Sequence, residues 1–165
     1  MIKKLHNLFW LLTILLTGIL TGFVLSHSLI LGPWFTWFVS NPEKTPLLYE
    51  TYSVFRQNHP PTLYNSIFML QIFSFLVFLI FASIRKYRAP LALIAFLISL
   101  VVGIIHFGSG FGELEHAVLS GVAKDAASLA RYAKWNVPIH RFHSAGCLAS
   151  FILLCFYYKK EESTK

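Results

Sequence analysis

The sequence predicts an all-α integral membrane protein, a four-helix bundle that forms a single domain over residues 1–165. Of its residues, 56% are hydrophobic and only 13% are charged, a balance that does not suit a soluble domain of this length. Four apolar runs are each about long enough to cross a ~30 Å hydrocarbon core as a helix. They cover residues 8–31, 63–84, 91–107 and 139–158. We therefore expect the chain to contact the lipid bilayer.

The first run is predicted to be a retained helix and not a cleaved signal peptide. Lys3 and Lys4 precede it, but its apolar stretch is well beyond the ~7–15 residues of a signal-peptide core. An outer loop over residues 32–62 follows, and prolines interrupt it. The short turn between the second and third runs makes those two helices antiparallel neighbours.

The second outer loop, residues 108–138, is predicted to contain an amphipathic helix. Apolar residues recur at roughly helical spacing over residues 113–132, which suggests a helix that covers the outer end of the bundle. Asn136 is predicted to be the N-cap of the fourth helix. Pro138 then lies near its first turn, where a missing N–H costs least.

The net charge of +7 comes from basic residues at positions that the positive-inside rule accounts for. Lysine and arginine are concentrated before the first run, between the second and third, and after the fourth, whereas the two outer loops balance their charges. The positive-inside rule then places both termini in the cytoplasm. A nucleic-acid partner is not needed to explain this charge.

With that topology, six of the seven histidines fall at the outer face of the membrane. Ionisable side chains within or near hydrocarbon are costly and usually face a bundle interior or a cavity, so such a cluster predicts a functional site. The six are His27, His59, His106, His116, His140 and His143.

Four of these residues are candidate metal ligands because facing helices of a bundle commonly build metal sites from imidazoles. They are His27, His106, His140 and His143. Glu113 and His116 form a Glu-x-x-His spacing, which is seen in di-iron bundles, and Cys147 would add a soft ligand one turn from His143. Copper, iron and zinc are the candidate metals, and haem is the less favoured cofactor.

The same residues allow readings without a metal. His140 or His143 could act as a general base with Arg141 stabilising an anion. The histidines could also be polar helix ends that contact water and headgroups.

Three short segments resemble the anthrone oxygenase-like family of small four-helix membrane proteins. They are the Thr-Gly-Ile-Leu-Thr-Gly-Phe-Val run (17–24), the Asn-His-Pro-Pro sequence (58–61) and the Arg-Tyr-Ala-Lys-Trp-Asn sequence (131–136). The resemblance implies an outer pocket for a hydrophobic, often aromatic substrate, with Trp135 and Asn136 in substrate binding. The family's following arginine is displaced here to Arg141, and at the end of the third helix the sequence His-Phe-Gly-Ser-Gly (106–110) stands in place of the family's Asn-x-Pro segment.

These observations together predict a membrane-embedded oxidoreductase or oxygenase-like enzyme that acts on a lipophilic small molecule from the non-cytoplasmic side. The alternative is a metal- or haem-binding membrane protein without enzymatic activity, or a small accessory subunit of a membrane complex. A homo-oligomer is compatible with the sequence.

Overall fold

The computed structural model describes residues 2–57 and 60–163, and every regular element within those ranges is helical. The elements are α1 (Ile2–Ser26), a π-helical turn (His27–Leu31), α2 (Gly32–Ser40), α3 (Thr45–Arg56), α4 (Pro60–Ile84), α5 (Pro90–Gly108), α6 (Phe111–Leu119) and α7 (Ala126–Ser163). The all-α class is confirmed.

Four stretches are long and apolar enough to cross a membrane: Ile2–Ser40, Pro61–Ile84, Pro90–Gly108 and Ala126–Tyr157. Large apolar side chains such as Leu15, Leu97 and Ile104 are exposed along them, as expected where a helix contacts lipid and not water. The chain is a multi-pass membrane protein.

The four long helices pack around one another, with α1 against α4 and α7, and α5 against α7. At one end, which we call the basic end, the Arg85 guanidinium donates a hydrogen bond to Nδ1 of His6 (3.1 Å). His6 is buried there, far along α1 from the other described histidines. The opposite end, formed by α2, α3 and α6 around the start of α7, is the capped end.

Buried polar side chains link the four helices near the middle of the bundle. The Gln71 amide donates to Thr17 Oγ1 (3.2 Å) and to Ser99 Oγ (3.1 Å), and Ser99 donates to Ser150 Oγ (3.2 Å). Oε1 of Gln71 has no hydrogen-bond partner among the described residues. Interhelical hydrogen bonds of this kind help to hold transmembrane helices together.

The first helix extends beyond its predicted end at residue 31. It continues through the π-helical turn into α2, where the Gly32 N–H donates to the carbonyl oxygen of His27. Pro33 lies at the start of α2, directly after the π-helical turn, so the missing N–H of proline falls where the helical hydrogen-bond pattern changes. The predicted outer loop over residues 32–62 therefore contains two helices, α2 and α3.

A helix lies between the third and fourth spans as predicted, but its predicted bounds and the predicted start of the fourth helix are wrong. Instead of one amphipathic helix over residues 113–132, the short helix α6 ends at Leu119, and Gly121 takes a left-handed φ of 74°. The side chain of Asp125 then accepts a hydrogen bond from the Ser128 N–H (2.9 Å), and α7 begins at Ala126 and not at 139. Asn136 is not an N-cap, and Pro138 lies inside α7.

The first span (α1 to α2) and the last helix, α7, are both much longer than a bilayer requires. The continuous first span has 39 residues and α7 has 38, so each extends to about 57–59 Å at ~1.5 Å per residue. A hydrocarbon core of ~30 Å covers only part of that length. His27 lies about 38 Å along the first span from Ile2, which is more than the ~30 Å thickness of a hydrocarbon core.

Candidate functional site

A cavity of about 570 Å³ lies at the capped end, between α1, α3, α4, α5, α6 and α7. Its volume is within the range of small-molecule sites. Five histidines line it: His27, His106, His116, His140 and His143. The structure thus brings together at one cavity five of the six histidines that the sequence assigned to the outer face. The sixth, His59, lies outside the described residues.

Within the cavity, His27, Glu115 and His140 each offer one ligand atom, and these atoms lie within 4.8 Å of one another. Nε2 of His27 is 3.6 Å from Oε1 of Glu115. The imidazole rings of His27 and His140 are stacked, with centroids 3.7 Å apart and planes inclined by 22°. Neither Nε2 of His27 nor Oε1 of Glu115 has a hydrogen-bond partner in the described part of the chain.

The ring of His140 is oriented by its own helix. Its Nδ1 lies 2.8 Å from the carbonyl oxygen of Asn136, one turn earlier in α7. A carbonyl oxygen only accepts hydrogen bonds, so Nδ1 carries the proton and Nε2 keeps its lone pair. Metal-ligating histidines commonly have this second hydrogen bond, which sets the tautomer and the ring orientation.

The side chain of Asn136 joins α7 to α2. It is fully buried, and its Nδ2 donates to the carbonyl oxygen of Gly32 and to Oγ1 of Thr36, both at 2.9 Å. Asn136 is therefore a structural contact next to the site. The predicted role of Asn136 in substrate binding is not supported by its position, because it does not line the cavity.

The π-helical turn determines where His27 lies. A Cβ placed on Gly32 would be 3.0 Å from the His27 carbonyl oxygen and 3.4 Å from its ring carbon Cδ2. The ring thus rests on the glycine that follows the turn. Single π-helical turns within α-helices occur frequently at functional sites. Here the π-helical turn begins at His27, whose ring stacks on that of His140.

Glu115 belongs to the ligand group although the sequence pattern did not predict it. Burial raises the pKa of its carboxyl to about 7, and the opposing effect of Arg56 is smaller. The Glu-x-x-His spacing predicts Glu113 as a ligand, but its side chain is exposed. The available signal was the phase of α6: Phe111, Val118 and Leu119 are its buried residues, and Glu115 lies on the same face at helical spacing.

A second pair of histidines lies next to the first. The ring centroids of His106 and His143 are 5.3 Å apart, and those of His140 and His143 are 6.0 Å apart. His143 is only 2% exposed, and both its ring nitrogens lack hydrogen-bond partners among the described residues. Tyr64 contacts His106, with ring centroids 5.0 Å apart.

Other predicted site residues lie elsewhere. Arg141 and Trp135 are exposed on α7 and are absent from the cavity lining, so the structure does not bring them to the histidines. Glu113 and His116 line the cavity but are exposed, and the ligand group formed by His27 and His140 includes neither of them.

No family model, curated protein or solved structure matches this chain. The resemblance to the anthrone oxygenase-like family stays a prediction, and functional inference depends on the geometry of the site.

Proposed function

We propose that this protein is a membrane-embedded oxidoreductase that binds a divalent transition metal through His27, Glu115 and His140 and acts on a lipophilic substrate in the adjoining cavity. The observation that carries the proposal is the convergence of two imidazoles and one carboxylate, within 4.8 Å, at an apolar cavity. The clustering of basic residues at the other end of the bundle supports a topology with cytoplasmic termini, so the site would face the non-cytoplasmic side.

The three groups are close enough to bind one metal ion, provided that the ring of His27 turns. Two ligands on ~2.1 Å bonds in a tetrahedral shell are about 3.4 Å apart, and Nε2 of His27 is 3.6 Å from Oε1 of Glu115. The rings of His27 and His140 are stacked, however, so their lone pairs lie in nearly parallel planes. Because His140 is held by the carbonyl of residue 136, His27 is the ring that would turn to share an ion with it.

Two imidazoles and one carboxylate form the ligand set of non-haem iron oxygenases and also suit zinc. Such a metal, when bound, would supply oxygen activation or Lewis acidity. Haem is less favoured, because bis-histidine ligation needs two imidazoles on opposite faces of a porphyrin, whereas these two rings are stacked at 3.7 Å.

Three lining side chains support a lipophilic substrate. Phe23, Leu63 and Phe107 line the cavity and are also exposed, by 43%, 52% and 53%. All three belong to stretches that can span a membrane. A molecule dissolved in the bilayer would therefore reach the cavity without crossing water, with its polar part toward the histidines.

One observation favours a second candidate, acid–base catalysis without a metal. With a pKa of about 7, the Glu115 carboxyl could exchange a proton near neutral pH, and His27 is close enough to share it. A metal-binding protein without enzymatic activity would use the same ligands as the leading proposal.

The proposal is tested on protein purified in detergent and loaded separately with Fe(II), Zn(II) or Co(II). We expect one equivalent of bound metal in the wild type and loss of that metal in Glu115→Gln and His140→Ala. Glu113→Gln is the matched control, since it removes an exposed carboxylate two residues away on the same helix. Equal binding by Glu113→Gln and Glu115→Gln would contradict the assignment, and no metal in any preparation would leave the acid–base candidate.

Oxidoreductase activity is tested with the iron-loaded protein in lipid nanodiscs. Oxygen consumption on addition of lipophilic phenols is expected for the wild type and for Glu113→Gln, but not for Glu115→Gln. Stoichiometric metal without oxygen consumption for any substrate would favour the non-enzymatic alternative.

A further inference from the structure

We infer that His143 binds a hydroxyl group of the lipophilic substrate, and that the substrate is therefore a hydroxyl-bearing lipid, either a phenol or an aliphatic alcohol. This inference deepens the proposed function and rests on it for the reaction that follows binding. The binding step itself needs no metal, so it can be tested separately.

The ring of His143 is buried in the wall of the cavity without a hydrogen-bond partner. Its side chain is 2% exposed, and neither ring nitrogen has a partner among the described residues. Burying a polar group without a hydrogen bond costs free energy. Because His143 lines the cavity, a ligand there that hydrogen-bonds to this ring removes part of that cost.

The hydrogen-bonding groups of the cavity wall indicate which chemical group the ligand carries. A neutral imidazole has one N–H donor and one acceptor nitrogen. Asn65 lines the same cavity, and its buried Oδ1, which can only accept, also lacks a partner in the described part of the chain. A ketone or an ether offers no donor, and a hydrocarbon offers neither donor nor acceptor. A hydroxyl offers both, and it enters an apolar cavity without a net charge.

The position of His143 places a bound hydroxyl between the lipid and the proposed metal ligands. Its ring centroid is 6.0 Å from that of His140, which belongs to the ligand group. Asn65 follows Leu63 by two residues on α4, and Leu63 is exposed as well as lining the cavity. A lipid can therefore keep its hydrocarbon tail in the bilayer while its hydroxyl-bearing end reaches the histidines.

The experiment measures two affinities of the metal-free protein in detergent by isothermal titration calorimetry. One probe is 4-hexylphenol, and the other is hexylbenzene, which lacks only the hydroxyl. In His143→Leu the ratio of the two affinities should fall by about five- to tenfold, the effect of one net hydrogen bond. His143→Gln should keep most of the ratio, because its amide also donates and accepts. Partition of the probes into micelles is common to all variants and cancels when their ratios are compared.

Two control variants distinguish His143 from the rest of the cavity. His116→Leu removes an exposed histidine that lines the same cavity, and Glu115→Gln alters the ligand group; both should keep the wild-type ratio. His143→Met, whose flexible side chain adapts to the same space, is used if His143→Leu fails to fold.

An unchanged ratio in the folded His143→Leu or His143→Met variant would overturn the inference. A ratio lost in Glu115→Gln instead would also overturn it, because the hydroxyl would then bind at the ligand group. Since a chelator keeps every sample free of metal, these outcomes do not depend on whether His27, Glu115 and His140 bind an ion.

A second pair of probes, 1-nonanol and nonane, separates the two kinds of hydroxyl. If the His143→Leu substitution lowers the ratio for the phenol pair alone, the ligand is a phenol. If it lowers the ratio for both pairs, the site accepts aliphatic alcohols as well.

Discussion

Replacing Asn136 with alanine should loosen the contact between α2 and α7 while leaving the orientation of His140 intact. The substitution removes two hydrogen bonds from a fully buried amide, to the Gly32 carbonyl and to the Thr36 hydroxyl. The bond that orients His140 goes to the backbone carbonyl of residue 136, which alanine also provides.

The expected cost is about 2–3 kcal/mol. Each lost hydrogen bond contributes about 1 kcal/mol, and the space left by the deleted atoms adds roughly 1 kcal/mol or more. A partial gain opposes this, since Oδ1 of Asn136 has no hydrogen-bond partner in the described part of the chain and alanine removes that buried oxygen.

The assay is the free energy of unfolding from a denaturant titration in detergent, followed by circular dichroism. Arg141→Ala, an exposed position on the same helix, is the matched control and should change stability by less than about 0.5 kcal/mol. If Asn136→Ala also changed stability by less than that, the amide would not be holding α2 against α7, and the reasoning would be refuted.

Two further predictions concern a proton and a buried amide. Because the pKa of the Glu115 carboxyl is raised to about 7, a divalent metal must displace its proton at lower pH. The zinc affinity of the wild type, measured in a competition titration, should fall by up to about tenfold per pH unit below 7. Glu113→Gln should keep this pH dependence, and a zinc affinity that does not fall below pH 7 would contradict the role of Glu115. Gln71→Leu should change the free energy of unfolding by less than about 1 kcal/mol, because two interhelical bonds of about 0.6 kcal/mol each are offset by removal of the unpartnered Oε1. Gln71→Ala should cost about 2–4 kcal/mol through the cavity it leaves, and equal losses in both variants would contradict this account.

The four membrane spans were predictable, because an apolar run long enough to cross a bilayer has few other stable structures. Their ends were not. Pro33 and Pro138 suggested boundaries, since proline removes an N–H and usually interrupts a helix. In the structure, the π-helical turn lets the first helix pass Pro33, and α7 continues through Pro138. The hydrogen bonds of Asn136 to α2 are tertiary contacts that no local pattern reveals.

The gathering of histidines was predictable because antiparallel spans bring alternate helix ends to one side of the membrane. The pairing within the cluster depended on side-chain geometry and could not be predicted: His27 stacks on His140, while His143 faces His106. The choice between Glu113 and Glu115 depended on which face of α6 turns inward. That face is set by packing against α7, which begins at residue 126, thirteen residues before its predicted start at 139.

Because the first span and α7 are longer than a hydrocarbon core is thick, two different forces stabilise the two ends of this molecule. At the capped end, α2, α3, α6 and α7 enclose an apolar core that includes Phe35, Leu48 and Tyr132, and where that part extends past the hydrocarbon, exclusion of water stabilises it. Around Phe75 and Leu154 the surrounding lipid is as apolar as the side chains, so close packing and buried hydroxyls stabilise the helices instead. A chaotrope should therefore act first on the capped end, which holds the proposed metal ligands, and a harsh detergent on the basic end.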